Sequence, residues 1–185
     1  MIYNEKNITL KNGKSCILRS PTEKDAEEMI SYLKRTSTET DHMLRYEDEV
    51  TLSLDEEKSF LTSTAEDSRK IMIAAFIDGK LAANCGINPV SSLDRCKHRA
   101  EFGISIIKDY WDCGLGSAMM SAIIDSAKVI GFELIELDVV SENERAVALY
   151  KKFGFKIYGT REKFFKYRNG TYASSHIMAL DLLQR

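Results

Sequence analysis

Proline is scarce in this sequence, with two in 185 residues, and so is cysteine, with four. Little proline together with a hydrophobic fraction of 44% excludes an intrinsically disordered chain. Cys16, Cys85, Cys96 and Cys113 lie far apart and form no Cys-x-x-Cys pair. That argues against structural zinc and fits a reduced, cytoplasmic protein. His42, His98 and His176 show no metal-ligand spacing, so no metal is expected. There is no excess of positive charge either: the formal net charge is -2, and nothing in the total favours nucleic acid. No apolar run approaches the roughly 20 residues of a membrane span. The opening MIYNEKNITL has no apolar stretch of signal-peptide length. Repeats, low-complexity tracts and linkers are missing too. What these absences leave is one folded domain over residues 1–185, long enough to bury a core.

Within it, ITLKNGKSCILR predicts two short strands around Asn12-Gly13. Ser20-Pro21-Thr22 punctuates. Ala26, Met29, Ile30 and Leu33 then recur at helical spacing over residues 22–35, with Thr22 and Asp25 as a capping pair. Residues 36–53 read as loop with a short helix, and residues 54–65 as a second helix. Asp78-Gly79 sits between two apolar runs and predicts a hairpin, with Leu81, Ala83, Cys85 and Ile87 alternating in its second strand. A polar loop at 90–99 precedes a strand at 101–107. Met119, Met120, Ile123, Ile124, Ala127 and Ile130 form the stripe of a following helix that Gly131 terminates. ELIELDVV is a strand with Ile135, Leu137 and Val139 on one face. A strand, a helix and a strand in that order predict a parallel crossover. In SENERAVALYKKFGF, Ser141 and Glu144 have capping-box spacing, Ala146, Leu149, Tyr150 and Phe153 form the stripe, and Gly154 ends the helix. FKIYG and TYASSHIMALDL read as closing strands. The fold class expected is α/β: a mixed central sheet with antiparallel N-terminal strands and a β-α-β crossover, flanked by helices.

Two glycines open the third helix, in KDYWDCGLGSAMM. A helix N-terminus carries unpaired N–H groups and partial positive charge, which suits an anion such as pyrophosphate. Gly114 and Gly116 remove side chains there, and Cys113, Gly114, Leu115, Gly116 and Ser117 offer main-chain N–H donors. A tight strand-to-helix turn is the other reading of the same glycines. The dinucleotide fingerprint fails because Met119 stands where its third glycine belongs, and the phosphate-loop lysine pattern is absent. Asn143 and Tyr150 are spaced by about two helical turns and share one side of their helix, roughly 10 Å apart along its axis.

The stretch from 101 to 157 resembles the GCN5-related N-acetyltransferases. WDCGLG at 111–116 is similar to that family's R/Q-x-x-G-x-G/A signature, and SENERAVALYKKFGF at 141–155 to its Asn followed by an LY..FGF segment. The opening ILRSPTEKDAEEM resembles the family's first strand and helix. The end, YRNGTYASSHIMAL, resembles members related to spermidine and ribosomal-protein acetylases. One position departs: Trp111 stands where Arg or Gln is usual, and Asp112 beside it places a carboxylate near the expected pyrophosphate.

The resemblance implies an acetyl-CoA-dependent enzyme in which a primary amine attacks the thioester directly. Tyr150 is then the acid that protonates the coenzyme A sulfur, or, on the plainer reading, a core aromatic. Asn143 contacts the cofactor, as does the loop from Asp112 to Ser117. Ile104, Ser105 and Ile106 lend main-chain groups to the pantetheine arm and an N–H to the oxyanion. Glu101 is the base, acting through water, or a strand-edge carboxylate. The acceptor is a small-molecule amine such as a polyamine, or a peptide N-terminus. Acidic residues at 39–57 would attract it, unless they are a solvated face. A homodimer is the assembly the resemblance suggests. The competing expectation is a coenzyme A-binding domain without transfer activity.

Overall fold

A computed structural model describes residues 1–183; the last two residues of the expected domain lie outside them. The elements follow as β1 (Lys6–Thr9), β2 (Ser15–Arg19), α1 (Ala26–Glu39), α2 (Leu54–Glu66), β3 (Ile71–Ile77), β4 (Lys80–Pro89), β5 (Arg99–Ile106), α3 (Leu115–Ile130), β6 (Leu134–Val140), α4 (Glu144–Lys152), β7 (Lys156–Lys166) and β8 (Tyr172–Asp181). The strands make a mixed, mostly antiparallel sheet in the order β1-β2-β3-β4-β5-β6-β8-β7, the α/β class expected. They divide between two compact units: Met1–Asn88 with Gly103–Ser126, and Pro89–Phe102 with the chain from Ala127 onward.

In the first unit β1 to β4 are an antiparallel meander. The turn after β1 closes where Leu10 N–H donates to Lys14 O, with Gly13 at φ +80°. At Asp78-Gly79 both residues take positive φ (53° and 75°), the twist-matched turn that Asp-Gly favours. Helix α1 is entered through a single 3-10 turn. Thr22 N–H donates to Asp25 Oδ2 at 2.7 Å, so the expected capping pair is present. The helix runs on to Glu39, four residues past its expected end, and a 3-10 turn at Glu47–Glu49 is the short helix of the following loop. Ala26, Met29 and Tyr32 of α1 pack with Leu61 of α2 against Ala74, Phe76 and Leu81 of the sheet. Burying such side chains stabilises by about 1.5–3 kcal/mol each.

A two-pronged ion pair ties the end of β2 to the start of α1. Arg19 donates to both carboxylate oxygens of Asp25, at 2.8 and 2.7 Å. Burial pushes the Asp25 carboxyl up, but the Arg19 bond and those from Thr22 outweigh it and hold the group below its ordinary value. A carboxyl lowered by folding stabilises above its unfolded pKa, and that contribution is lost as pH falls through the folded one. Asp25→Asn is therefore expected to cost about 2 kcal/mol at neutral pH. Urea midpoints of the two proteins should converge on acidification. A gap that stays constant into acid would show that the pair contributes nothing.

In the second unit Arg99, Ala100 and Glu101 of β5 pair in parallel with Leu134, Ile135 and Glu136 of β6, the crossover predicted. Gly131 takes φ +91° and caps α3, with Phe132 N–H reaching Ala127 O. Strand β8 is antiparallel to both β6 and β7. Strand β7 is longer than the expected FKIYG and runs to Lys166. Register shifts at Ile157/Gly159 and Arg161/Phe165 break its alternation, which is why the period ended early in the sequence.

Helix α4 corrects two expectations. Its N-cap is Asn143, whose Oδ1 accepts from Ala146 N–H at 3.2 Å, so Ser141 and Glu144 do not form the capping box. Starting at Glu144 turns the buried face onto Val147 and Tyr150, and leaves Ala146, Leu149 and Phe153 half-buried. Gly154 ends the helix at φ +91°, as expected. All four cysteines are free: Cys16, Cys85 and Cys113 are buried and Cys96 is half-buried. Burial pushes the Cys16 thiol up to about 11 and that of Cys85 higher still. Among the described residues no helix is long and apolar enough to cross a membrane.

Candidate active site

The first unit supplies the glycine loop and the strand that leads to it. Residues of a strand send their N–H and C=O alternately to its two edges. On one edge Ser105 meets Tyr32, whose hydroxyl takes the place of a rung. It donates to Ser105 O at 2.6 Å, shares a proton with Ser105 Oγ at 2.7 Å, and accepts from Asn84 N–H at 3.1 Å. Burial pushes the Tyr32 phenol well above its ordinary pKa, so it acts as a neutral group. Ile104 and Ile106 face the opposite edge. There Ile106 O accepts from the Trp111 indole N–H at 2.8 Å. Trp111, the departure from the family pattern, thus fastens the loop to the end of β5.

Beyond a 3-10 turn at Lys108–Tyr110, Asp112 takes φ +61° and Gly114 φ +90°. Cys113 turns inward, its thiol donating to Tyr110 O at 3.0 Å. The first helical bond of α3 runs from Ala118 N–H to Gly114 O at 3.1 Å. The N–H groups of Leu115 and Gly116 lie ahead of it, at the positive end of a helix 16 residues long. The bare α-carbon of Gly114 does not face open space. A Cβ built there would lie 3.2 Å from Lys11 Cγ and 3.5 Å from its Cδ and Cε. Lys11 N–H also donates to Cys113 O at 2.9 Å. The β1–β2 turn therefore rests on the loop, a contact between residues about a hundred apart that no local pattern announces.

The second unit supplies Glu101, Asn143 and Tyr150. Tyr150 is 7% exposed and is held between two rings: Phe102 edge-on at 6.2 Å and Phe155 tilted at 5.8 Å. Asn143 spends its oxygen on the helix cap, which leaves its amide nitrogen as the end able to meet a ligand. Glu101 is exposed and stands opposite Glu136 in the ladder. Glu136 is neutralised by Arg99 through two bonds, at 2.9 and 3.0 Å. Tyr150 is thus a packed core aromatic, as the plainer reading has it, and it carries a phenol.

The acidic stretch at 39–57 is not one wall. Glu39 accepts from Arg35 at 2.8 Å and from Lys108 N–H at 2.6 Å. Glu56 caps α2 by accepting from Ser53 N–H at 2.8 Å. Glu57 is buried, with burial pushing its carboxyl up and Arg45 opposing. Asp41, Glu47, Asp48, Glu49 and Asp55 are exposed. Among the described residues no group of three or more His, Cys, Asp or Glu is placed to hold a metal.

Comparison with known proteins identifies the family. Residues 27–155 match the acetyltransferase (GNAT) family, a span that contains both the glycine loop and Tyr150. The chain belongs to that family. It is 35% identical over 108 residues to the L-amino acid N-acetyltransferase AaaT of Escherichia coli, a match covering 58% of this chain and 65% of the relative. The matched stretch thus spans less than two thirds of that relative's own length. An acetyltransferase of the GNAT family from Streptococcus pneumoniae superposes with a TM-score of 0.86 at 32% identity, over 90% of this chain and 99% of that one. The yncA protein of Salmonella typhimurium, solved with its cofactor acetyl-CoA, shares the fold with a TM-score of 0.80 at 15% identity, over 92% of this chain and 95% of that one.

Proposed function

We propose that residues 1–185 are one N-acetyltransferase domain that moves the acetyl group of acetyl-CoA onto a primary amine. The observation that carries this is the family match across residues 27–155, with the glycine loop and Tyr150 inside it. The chemistry available fits the cofactor. Leu115 and Gly116 offer N–H groups to its pyrophosphate at a helix N-terminus, within a loop that runs from Asp112 to Ser117. Ile104 and Ile106 present main-chain groups to its pantetheine arm, opposite the edge of β5 that Tyr32 occupies. The Asn143 amide nitrogen is a further contact.

An alkylamine is mostly ammonium at neutral pH and must lose a proton before it attacks. In our reading Glu101 takes that proton through water. The amine nitrogen then bonds to the thioester carbon, whose oxygen is held by an N–H of β5. The carbon–sulfur bond breaks, the Tyr150 hydroxyl passes its proton to the departing sulfur, and the surplus proton of the new amide nitrogen returns to the Tyr150 phenolate. The four free cysteines suit the cytoplasmic location that belongs to the same reading.

Thiol release from acetyl-CoA with a panel of amines tests the proposal: free amino acids first, because the E. coli relative is named for them, then spermidine, an aminoglycoside, and peptides beginning with Ser or Ala. Turnover with one class is expected. Silence across the panel while acetyl-CoA raises the melting temperature would favour a binding domain without transfer activity.

A further inference from the structure

The glycine loop brings little positive charge of its own. Between residues 108 and 117 it carries two carboxylates, Asp109 and Asp112, and one cation, Lys108. Asp109 is occupied by Arg35 at 2.7 Å, and the Lys108 ammonium lies over the Trp111 ring at 5.9 Å. Trp111 itself gives its indole N–H to Ile106 O and has no charge to offer.

A cation arrives from elsewhere in the chain. The β1–β2 turn pins Lys11 to the loop through its own N–H, which donates to Cys113 O at 2.9 Å. From there its stem runs along Gly114, its Cγ, Cδ and Cε lying 3.2, 3.5 and 3.5 Å from where a Cβ would stand. That contact lays the stem of this exposed side chain against the loop that opens α3. Among the described residues the Lys11 ammonium has no anionic partner, whereas Lys14, on the same turn, pairs with Asp78 at 3.3 Å. A cation whose stem rests on the loop at the positive end of a helix adds to the attraction for an anion bound there.

We propose that Lys11 is a phosphate-binding residue of this acetyltransferase: its ammonium supplies, from the β1–β2 turn, the positive charge that the loop lacks at Trp111. The ligand is a phosphate group of coenzyme A. The inference rests on the acetyl-CoA reading above. It goes further by assigning the charge to a hairpin about a hundred residues from the signature.

The test is titration of coenzyme A, by calorimetry at several salt concentrations, into the full chain and its Lys11→Met and Lys11→Arg variants. Methionine keeps an unbranched stem over Gly114 and removes only the charge. We expect Lys11→Met to weaken binding about tenfold, the size of one charge-assisted contact. Its affinity should also fall less steeply with salt than that of the parent protein, and Lys11→Arg should stay within about threefold of the parent. A change of affinity with an unaltered salt slope would mark a packing role and overturn the proposal. Equal affinity of parent and Lys11→Met would overturn it too and leave the acetyl-CoA reading standing. Failure of the parent protein to bind coenzyme A would sink both.

Discussion

Tyr150→Phe is expected to lower turnover about a hundredfold while leaving the affinity for acetyl-CoA within about twofold, as loss of a general acid does. The phenylalanine ring keeps the packing against Phe102 at 6.2 Å and Phe155 at 5.8 Å. Only the hydroxyl is lost, and with it, on the mechanism proposed above, the proton for the departing sulfur. The split between turnover and binding is what separates the two readings. If the tyrosine serves only to fill space, turnover should barely change, because its ring is retained. If it serves to bind, the loss should appear in affinity. Full activity at saturating acetyl-CoA would remove Tyr150 from the chemistry.

The second large effect concerns stability. Tyr32→Phe should cost about 2–4 kcal/mol, because it strips a partner from Asn84 N–H and from Ser105 O at once, and a buried unpaired polar group costs about 1–3 kcal/mol. The bonds removed are 3.1 and 2.6 Å long. Thermal unfolding should register this as a fall of very roughly 5–10 °C for a chain of this size. A melting temperature within a degree of the parent would mean that the two strands close the rung themselves. That outcome would also shift β5 and should be visible as altered coenzyme A affinity.

These two tyrosines show what the sequence could and could not disclose. Tyr150 was visible because its signature is local: an asparagine, two turns of helix, and a glycine that stops it, all within fifteen residues. The Asp78-Gly79 turn and the α3 stripe were visible for the same reason, since each rests on the conformational preference or spacing of neighbours. Tyr32 was not. It lies among the apolar residues of α1, and its hydroxyl answers Ser105, 73 residues away. Lys11 escaped notice because a lysine in a turn is ordinary until Gly114 is found beneath it. The cap of α4 was misplaced by two residues because serine and asparagine compete for that position on nearly equal terms. Gly114 itself was legible as a position needing bare backbone. The reason is partly internal, though, since its φ of +90° and the Lys11 stem both require glycine.

The uneven burial of the cysteines has a practical consequence. Cys16, Cys85 and Cys113 are shut inside the protein, and Cys96 alone reaches solvent, in the loop between β4 and β5. The thiolate is the nucleophile, and burial keeps the Cys16 and Cys85 thiols protonated, Cys16 up to about 11. A maleimide dye added under native conditions should therefore attach at one position without any mutagenesis. The unaltered chain thus carries its own handle for a single fluorophore, whose emission can follow ligand titrations optically.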